Sequence, residues 1–402
     1  MIWSIRQKLG VAVIVAALNI LFILKNVGDS GTNSQPKQVN IKKYILIYTI
    51  TSVYQRHFNI SSINNIFSSC PVSNCLVTRN SQIPRYSQSE FDAIIFLGQD
   101  LSKSKPSDMP DQELRRMTQR YIFYQTESPI NWKFNYTKLD DLFNWTMSYK
   151  LDSDIHIPYG NRYIKSKYFT SSEKIEIKKS GQSHDKNYFN YNQIQFSALA
   201  HRPGAVAWMA SHCNTISDRE KYVNELMKHI QVDIFGGCSN VQTKFHSCID
   251  CQKIIKERYK FYLAFENSLC DDYVTEKLFQ TLKNDVVPVV MGQADYAAIT
   301  PPHSIINALD FPEPKYLAAY LNQLLKNDTE YLSYYWWKIG YYVENKGQSS
   351  WCRLCQMLND PQQQNKVYNN FGKWWSEDSH CRSKGQHPWS KYKRPSFSLG
   401  KY

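Results

Sequence analysis

The second half of the chain carries the pattern that most restricts its fold, an alternation of short apolar runs with amphipathic segments. Buried strands are predicted at 205–210, 232–235, 261–265 and 286–291, and helices at 218–230 and 273–282. Parallel strands joined by helices form a doubly wound α/β sheet. Such a sheet binds its ligands at the carboxyl ends of the strands, so the residues that follow each strand are the first candidates for a site.

A similar pattern in the first half predicts a second α/β unit. Runs rich in Ile, Tyr and Phe occur at 44–50, 91–97 and 121–125. A chain of 402 residues with 42% apolar content is long enough for two domains and can give each a core. Between the two units, residues 162–195 are rich in Lys, Ser and Asn without an apolar period, which predicts a linker or a long loop.

The N-terminus predicts a membrane anchor. An apolar run at 9–24 is flanked by basic residues and, with the residues before it, is long enough for a helix that crosses a thin bilayer. No small residues mark a cleavage point, which favours an uncleaved anchor over a secretory signal peptide. Basic residues on both sides leave the orientation open. The polar residues that follow are predicted to be a stalk.

Ten cysteines are an even number, and a lumenal or extracellular body is expected to pair most of them. Two pairs of cysteines also have the spacing of zinc ligands, but they lie far apart in the chain, and the anchor favours an oxidising compartment. We therefore predict disulfides rather than zinc, with the partners unassigned. The candidates are Cys70, Cys75, Cys248, Cys251, Cys352 and Cys355.

Charge and sequons add little. The net charge of +13 favours anionic ligands without choosing among them, and nucleic acid is excluded because the anchor and the cysteines place the body across a membrane. Chance alone gives about as many N-x-S/T sequons as the chain has, so they are glycosylation candidates only. They are Asn59, Asn135, Asn144 and Asn327.

The stretch 261–292 carries the most chemistry. Its buried strand delivers polar residues at 266–268, and the next helix has Glu276 and Lys277 in its first turns. A helix N-terminus beside an ammonium group is an anion site. Glu276 suits ribose hydroxyls while Lys277 meets a phosphate, and the plain alternative is a capping box with a surface ion pair.

This stretch resembles the α1,3-fucosyltransferases, glycosyltransferase family ten. The similarity covers about 44–342 and is closest in FYLAFENSLCDDYVTEKLF at 261–279. Other matching segments follow in the family's order at 127–129 (Glu-Ser-Pro), 143–160, 206–213, 286–292 and 310–321. Several independent motifs in one order make coincidence a poor explanation.

The resemblance implies a single-pass type II Golgi membrane enzyme of the GT-B class, with two Rossmann-like domains facing a lumenal cleft. Its donor substrate would be GDP-fucose, and fucose would move with inversion to the 3-hydroxyl of N-acetylglucosamine in a glycan of a glycoprotein or glycolipid. No cofactor is expected to be essential, although Mn²⁺ or Mg²⁺ could stimulate. Lewis-type members carry Ser-His where this chain has Ile130-Asn131, which leaves the acceptor open between the N-glycan core and lactosamine antennae.

The domain prediction combines the pattern with the resemblance. It comprises a cytoplasmic tail (1–8), a transmembrane signal anchor (9–25), a stem (26–43), an acceptor-side Rossmann-like domain (44–161), a linker (162–200), a GDP-fucose-binding Rossmann-like domain (201–345) and a Cys/Trp-rich tail (346–402).

Site residues follow from motif position. Glu127 matches the family's proposed catalytic base, and an inverting displacement needs one carboxylate to take the acceptor proton. The expected donor-site residues are Arg219, Asn267, Tyr273, Glu276 and Lys277. Within that set, Arg219 and Lys277 would stabilise the leaving diphosphate as fixed cations. A helix cap or a loop salt bridge is the structural alternative for Glu127.

Three alternatives stay open. Asp152 and Asp154 form an Asp-x-Asp pair that holds a metal in other glycosyltransferases, although a structural role at a strand end is favoured here and no metal ligand is assigned. The chain could use another nucleotide sugar on the same fold. It could also be an inactive glycan-binding relative.

Overall fold

The computed structural model describes residues 41–48, 66–79, 85–103, 109–132, 134–161, 163–165, 196–239, 248–343, 349–363 and 365–386. The chain divides into Met1–Ile41 and Lys42–Tyr402, and the architecture below belongs to the second unit. The predicted anchor at 9–25, Asn59 and most of the predicted linker lie outside the described residues. Within the described residues, no helix has the length and apolar character needed to span a bilayer.

Six strands form the first sheet. They are β1 (Lys43–Tyr48), β2 (Cys75–Arg79), β3 (Ala93–Leu97), β4 (Arg120–Gln125), β5 (Trp145–Ser148) and β6 (Ile155–His156). All neighbours are parallel, in the order β2-β1-β3-β4-β5-β6. The strands alternate between two covered faces: Ile45 and Ile47 point into one core, whereas Leu46 and Tyr48 point into the other. Burial on both faces explains the continuous apolar runs.

The remaining strands form a second parallel sheet and a small antiparallel ribbon. They are β7 (Tyr163–Lys165), β8 (Gly204–Met209), β9 (Val232–Phe235), β10 (Tyr259–Phe265), β11 (Val287–Met291), β12 (Ile306–Asn307) and β13 (Tyr341–Val343). The sheet has the order β12-β11-β10-β8-β9, and β7 pairs with β13 in the ribbon. In both large sheets the first strand lies between the second and the third. Each sheet therefore has a switch point, between its first and third strands, at which the strand order changes direction.

Helices connect the strands. They are α1 (Gly98–Leu101), α2 (Arg219–Leu226), α3 (Cys251–Arg258), α4 (Glu276–Lys283), α5 (Tyr296–Ile299), α6 (Pro314–Lys326), α7 (Asp328–Leu332), α8 (Trp337–Gly340) and α9 (Ser350–Asn359). Short 3₁₀ helices occur at Arg85–Glu90, Gln112–Leu114, Pro129–Asn131, Tyr136–Leu139, Ala308–Asp310 and Ser333–Tyr335, and a π-helical turn at Lys373–Glu377.

Helix α4 begins later than the sequence predicted. The predicted start was residue 273, but the backbone of Asp272 is left-handed, with φ of 61°. Thr275 is the extended N-cap residue, and Glu276 is the first helical residue. The capping box, the plain alternative for this stretch, is therefore absent from this helix start, and Glu276 and Lys277 are the first two helical residues.

The C-terminal segment returns to the first sheet. Phe371 and Trp375 are fully buried, and their rings lie 4.8 and 4.9 Å from that of Phe123 in β4. Helix α9 packs on β1 and β6 over the other face. The described residues of the predicted Cys/Trp-rich tail, 346–402, therefore complete the first core instead of forming a separate tail.

All ten cysteines are in disulfides. The bridges are Cys70–Cys352, Cys75–Cys355, Cys213–Cys238, Cys248–Cys251 and Cys270–Cys381. The six predicted cysteines are all bridged, and the zinc alternative is wrong because their sulfurs are bonded to one another. Sequence reasoning missed the two bridges near the second sheet, which have no short-range spacing to reveal them.

Candidate active site

A cavity of about 250 Å³ lies at the carboxyl ends of β8 and β10, at the switch point of the second sheet. The loop after β8, the starts of α2, α3 and α4, and the end of β10 line it. The lining residues are Met209, Ala210, Ser211, His212, Arg219, Gln252, Tyr262, Asn267, Glu276, Lys277, Gln280 and Thr281. Four of the five predicted donor-site residues are thus in this wall.

Arg219 is fixed at the first residue of α2 and is only 3% exposed. Its Nη1 donates to the carbonyl of Phe265 at 2.8 Å, and its Nη2 to that of His212 at 2.9 Å. Its Nε lies 3.3 Å from the Glu220 carboxylate. A guanidinium has five N–H donors, so these contacts leave donors for an anion in the cavity.

Lys277 brings a second cation to the cavity. Its Nζ donates to Glu266 Oε2 at 3.0 Å and to Thr275 Oγ1 at 2.7 Å, and its side chain is 18% exposed. The neighbouring Glu276 is 46% exposed, with Oε1 3.6 Å from Lys277 Nζ. Because the first backbone N–H groups of a helix lack intrahelical partners, this corner combines amide dipoles with an ammonium group.

Glu127 follows β4 in the first sheet and contacts the second sheet. Its Oε2 accepts hydrogen bonds from Asn131 Nδ2 at 3.0 Å, Asn267 Nδ2 at 3.4 Å and Tyr273 Oη at 2.9 Å. Oε1 accepts none from the residues that the structure describes. Since Asn267 lines the cavity, Glu127 lies one side chain away from the predicted donor pocket.

Two serines join the same loops. Ser128 Oγ donates to Ser268 Oγ at 2.8 Å, and Ser268 Oγ contacts Asn131 Oδ1 at 2.9 Å. Both serines are fully buried. The loop after β4 and the loop after β10 are therefore held together by a buried polar network that fixes Glu127 relative to the cavity.

Tyr273 differs from its predicted place in the donor pocket. It is 1% exposed, its ring packs against Tyr149 at 5.0 Å, and its hydroxyl donates to Glu127. Burial, and then the charge of Glu127, raise the pKa of Tyr273 well above its ordinary value, so the phenol is a permanent donor at neutral pH. Tyr273 therefore holds Glu127 by a hydrogen bond and is not among the residues that line the cavity.

Sequence reasoning missed Glu266 and Asn131 as site residues. Glu266 directly follows β10 beside other polar residues, and the end of a strand alone does not tell which carboxylate is buried. Asn131 was noted only for its departure from the family pattern, although it lies four residues after Glu127. Only the tertiary fold reveals the contacts of either residue.

The Asp-x-Asp pair has protein partners. Asp154 Oδ2 accepts from the Thr146 amide and the Tyr368 hydroxyl, both at 2.9 Å, and its Oδ1 pairs with Lys366. Asp152 accepts from Trp374 Nε1 at 2.8 Å. Both carboxylates hold the returning C-terminal segment. Among the described residues, no cluster of His, Cys, Asp and Glu could hold a metal ion.

The three described sequons differ. Asn135 and Asn327 are exposed. Asn144 is 3% exposed, its Oδ1 accepts from the Tyr121 amide at 2.8 Å, and its Nδ2 donates to the Lys366 carbonyl at 2.9 Å. A glycan on Asn144 would displace that bond and enter the core, so the fold argues against this candidate.

The structure has two parallel α/β sheets, with a cation-lined cavity at the switch point of one and a carboxylate supplied by the other, and is similar in this arrangement to GT-B glycosyltransferases. The family description "Glycosyltransferase family 10 (fucosyltransferase) C-term" matches residues 199–374. "Fucosyltransferase, N-terminal" matches residues 40–160. The chain belongs to glycosyltransferase family 10, the α1,3-fucosyltransferases, as the sequence motifs predicted.

Relatives and a solved structure agree with this assignment. Alpha-(1,3)-fucosyltransferase C of Drosophila melanogaster is 34% identical over 78% of this chain and 72% of its own length. Glycoprotein 3-alpha-L-fucosyltransferase A of the same organism is 32% identical over 84% of this chain and 61% of its own length. A crystal structure of an α1,3-fucosyltransferase with GDP-fucose shares the fold, at 16% identity and a TM-score of 0.51 over 85% of this chain and 95% of that chain.

Proposed function

We propose that this chain transfers fucose from GDP-fucose, with inversion, to the 3-hydroxyl of an N-acetylglucosamine unit. The observation that carries the proposal is the state of Glu127. Three donors from both halves of the molecule hold its Oε2, while its Oε1 accepts no hydrogen bond from the described residues. A carboxylate that is oriented but keeps one free oxygen is suited to receive a proton.

The cavity suits the donor nucleotide. Its pyrophosphate would lie against Arg219, Lys277 and the first amides of α4, where fixed cations and dipoles favour negative charge. The exposed carboxylate of Glu276 would accept hydrogen bonds from the ribose hydroxyls. Fixed cations can stabilise a leaving diphosphate, so we propose no essential metal and leave Mn²⁺ or Mg²⁺ at most a stimulatory role.

The reaction would proceed in one displacement. The acceptor 3-hydroxyl oxygen attacks the anomeric carbon of fucose while Glu127 Oε1 takes its proton. The bond between that carbon and the β-phosphate oxygen breaks, and both electrons leave with GDP. Arg219 and Lys277 stabilise the charge that gathers on the departing phosphate. Attack opposite the leaving group inverts the anomeric configuration.

The acceptor and the cellular location are part of the proposal. The acceptor would be a glycan of a glycoprotein, at the N-glycan core or on a lactosamine antenna, or a glycolipid glycan. The body would lie in the Golgi lumen behind a type II anchor at 9–25. Five disulfides support an oxidising compartment, because such bonds persist in the secretory pathway and are rare in the cytosol.

The test compares the wild-type chain with Glu127→Gln. The amide cannot accept the proton, so turnover of GDP-fucose should fall by about 10²- to 10⁴-fold while calorimetric GDP affinity is kept. Glu113→Gln changes an exposed carboxylate in the 3₁₀ turn Gln112–Leu114, before β4, and should keep both turnover and GDP affinity. Turnover of only GDP-mannose or UDP-sugars would contradict the donor assignment, and absence of any turnover would favour a binding relative. Linkage analysis on a glycan array identifies the acceptor.

A further inference from the structure

Glu266 is a carboxylate buried where a charge is costly. It directly follows β10, and its side chain is 1% exposed. Its backbone is held on both sides: its amide donates to the Met291 carbonyl at 3.0 Å, and its carbonyl accepts from Ser217 Oγ at 2.8 Å. Desolvating a carboxylate costs several kcal/mol unless partners compensate. The groups that contact the Glu266 carboxylate should therefore show what compensates this cost and what the charge does.

Those partners are the first residues of α4. Oε1 accepts from the Thr275 amide at 2.9 Å, and Thr275 Oγ1 lies within hydrogen-bond distance of both carboxylate oxygens. Oε2 accepts from Lys277 Nζ at 3.0 Å, which also donates to Thr275 Oγ1 at 2.7 Å. The carboxylate thus fixes both the start of the helix and the ammonium group.

The contacts leave Lys277 with one direction open. An ammonium group has three N–H donors, and two of them are taken by Glu266 and Thr275. Lys277 lines the cavity, and the exposed Glu276 carboxylate approaches Nζ only to 3.6 Å, so the third donor can meet an anion there. A neutral residue could support the helix start, but only an anion compensates a partly buried cation while holding it in place.

We infer that Glu266 is a positioning residue for transfer: it acts through Lys277, holding the ammonium where negative charge develops on the departing diphosphate. The inference rests on the proposed function in requiring a nucleotide-diphosphate sugar as donor. A lysine released from this anchor keeps its charge but loses its place, and small misplacements near the reacting groups can cost about 10²-fold in rate.

The experiment is a double-mutant cycle on the full chain, with Glu266→Gln, Lys277→Met and the double variant. Turnover is measured with whichever of GDP-fucose, GDP-mannose and UDP-sugars the wild type uses. Glu266→Gln should lower kcat by about 10- to 100-fold in the wild-type background. In the Lys277→Met background it should change kcat by less than about threefold, because the group through which it acts is already gone.

Two further variants separate positioning from folding. Thr275→Val keeps the carboxylate and removes the hydroxyl shared with Lys277, so kcat should fall while GDP affinity stays within about threefold; it serves if Glu266→Gln does not fold. Glu225→Gln breaks an exposed ion pair with Lys228 and should match the wild type. Melting temperatures accompany every variant.

The outcomes are distinct. Equal losses from Glu266→Gln in both lysine backgrounds, or a parallel loss of GDP affinity and melting temperature, would overturn the inference while the proposed function stands. If the effects of Glu266→Gln and Lys277→Met on kcat are coupled, but the wild type uses a donor other than GDP-fucose, the positioning role of Glu266 would be supported and the proposed donor overturned. A wild-type chain that turns over no nucleotide sugar would overturn both.

Discussion

Replacing Tyr273 by Phe removes one hydroxyl from the support of Glu127. The phenol donates to Oε2 at 2.9 Å, whereas Asn131 and Asn267 donate at 3.0 and 3.4 Å. The Phe ring keeps the packing against Tyr149. A hydrogen bond to a charged group is worth about 1.5–3 kcal/mol, and two donors remain, so we expect the lower end, about a tenfold loss of kcat.

The assay separates two roles for this tyrosine. If it orients the base, Tyr273→Phe lowers kcat at saturating GDP-fucose while calorimetric GDP affinity stays within a factor of two. Tyr149→Phe is the matched control, because its hydroxyl is not among the three donors to Glu127. Weakened GDP binding with unchanged kcat would refute the reasoning and return Tyr273 to the donor pocket predicted from the sequence.

Two other predictions concern stability. Cys70–Cys352 and Cys75–Cys355 close nearly the same loop, with separations of 282 and 280 residues. Replacing one pair by Ala should lower the free energy of unfolding in denaturant only slightly, because the other bridge still closes the loop, whereas replacing both pairs should lower it by about 5 kcal/mol. A single-pair variant that loses as much as the double-pair variant would contradict the loop-entropy argument. Burial lowers the pKa of His156, so the unfolded chain binds a proton first as pH falls. Stability should therefore decline below about pH 6.5, and less so in His156→Gln; parallel profiles would count against this.

The strands of the second sheet were predictable because both faces are buried. Every residue of β10 is buried, and such a run has no polar interruption to obscure it. The residues after that strand were equally accessible to reasoning, since parallel sheets place ligands there. The position of Lys277 beside the cavity follows from this local logic.

What the sequence could not reveal depends on contacts between distant residues. Helix α4 starts at Glu276 because Asp272 takes a left-handed backbone and because Glu266 holds the Thr275 amide. The apolar periodicity of the sequence cannot predict either of these features. Tyr273 was assigned by motif position, but its hydroxyl direction depends on a loop of the other sheet. The C-terminal segment has local composition typical of a tail, and only its partners in the first core reveal its role.

The return of the C-terminal segment has a consequence for biosynthesis. Cys70 and Cys75 leave the ribosome long before Cys352 and Cys355, which lie about 280 residues later. At about 5–20 residues per second, each early thiol waits roughly 15 to 60 s for its partner. During that time the nascent first half lacks the side chains of Phe371 and Trp375, so its folding is completed only after translation of nearly the whole chain.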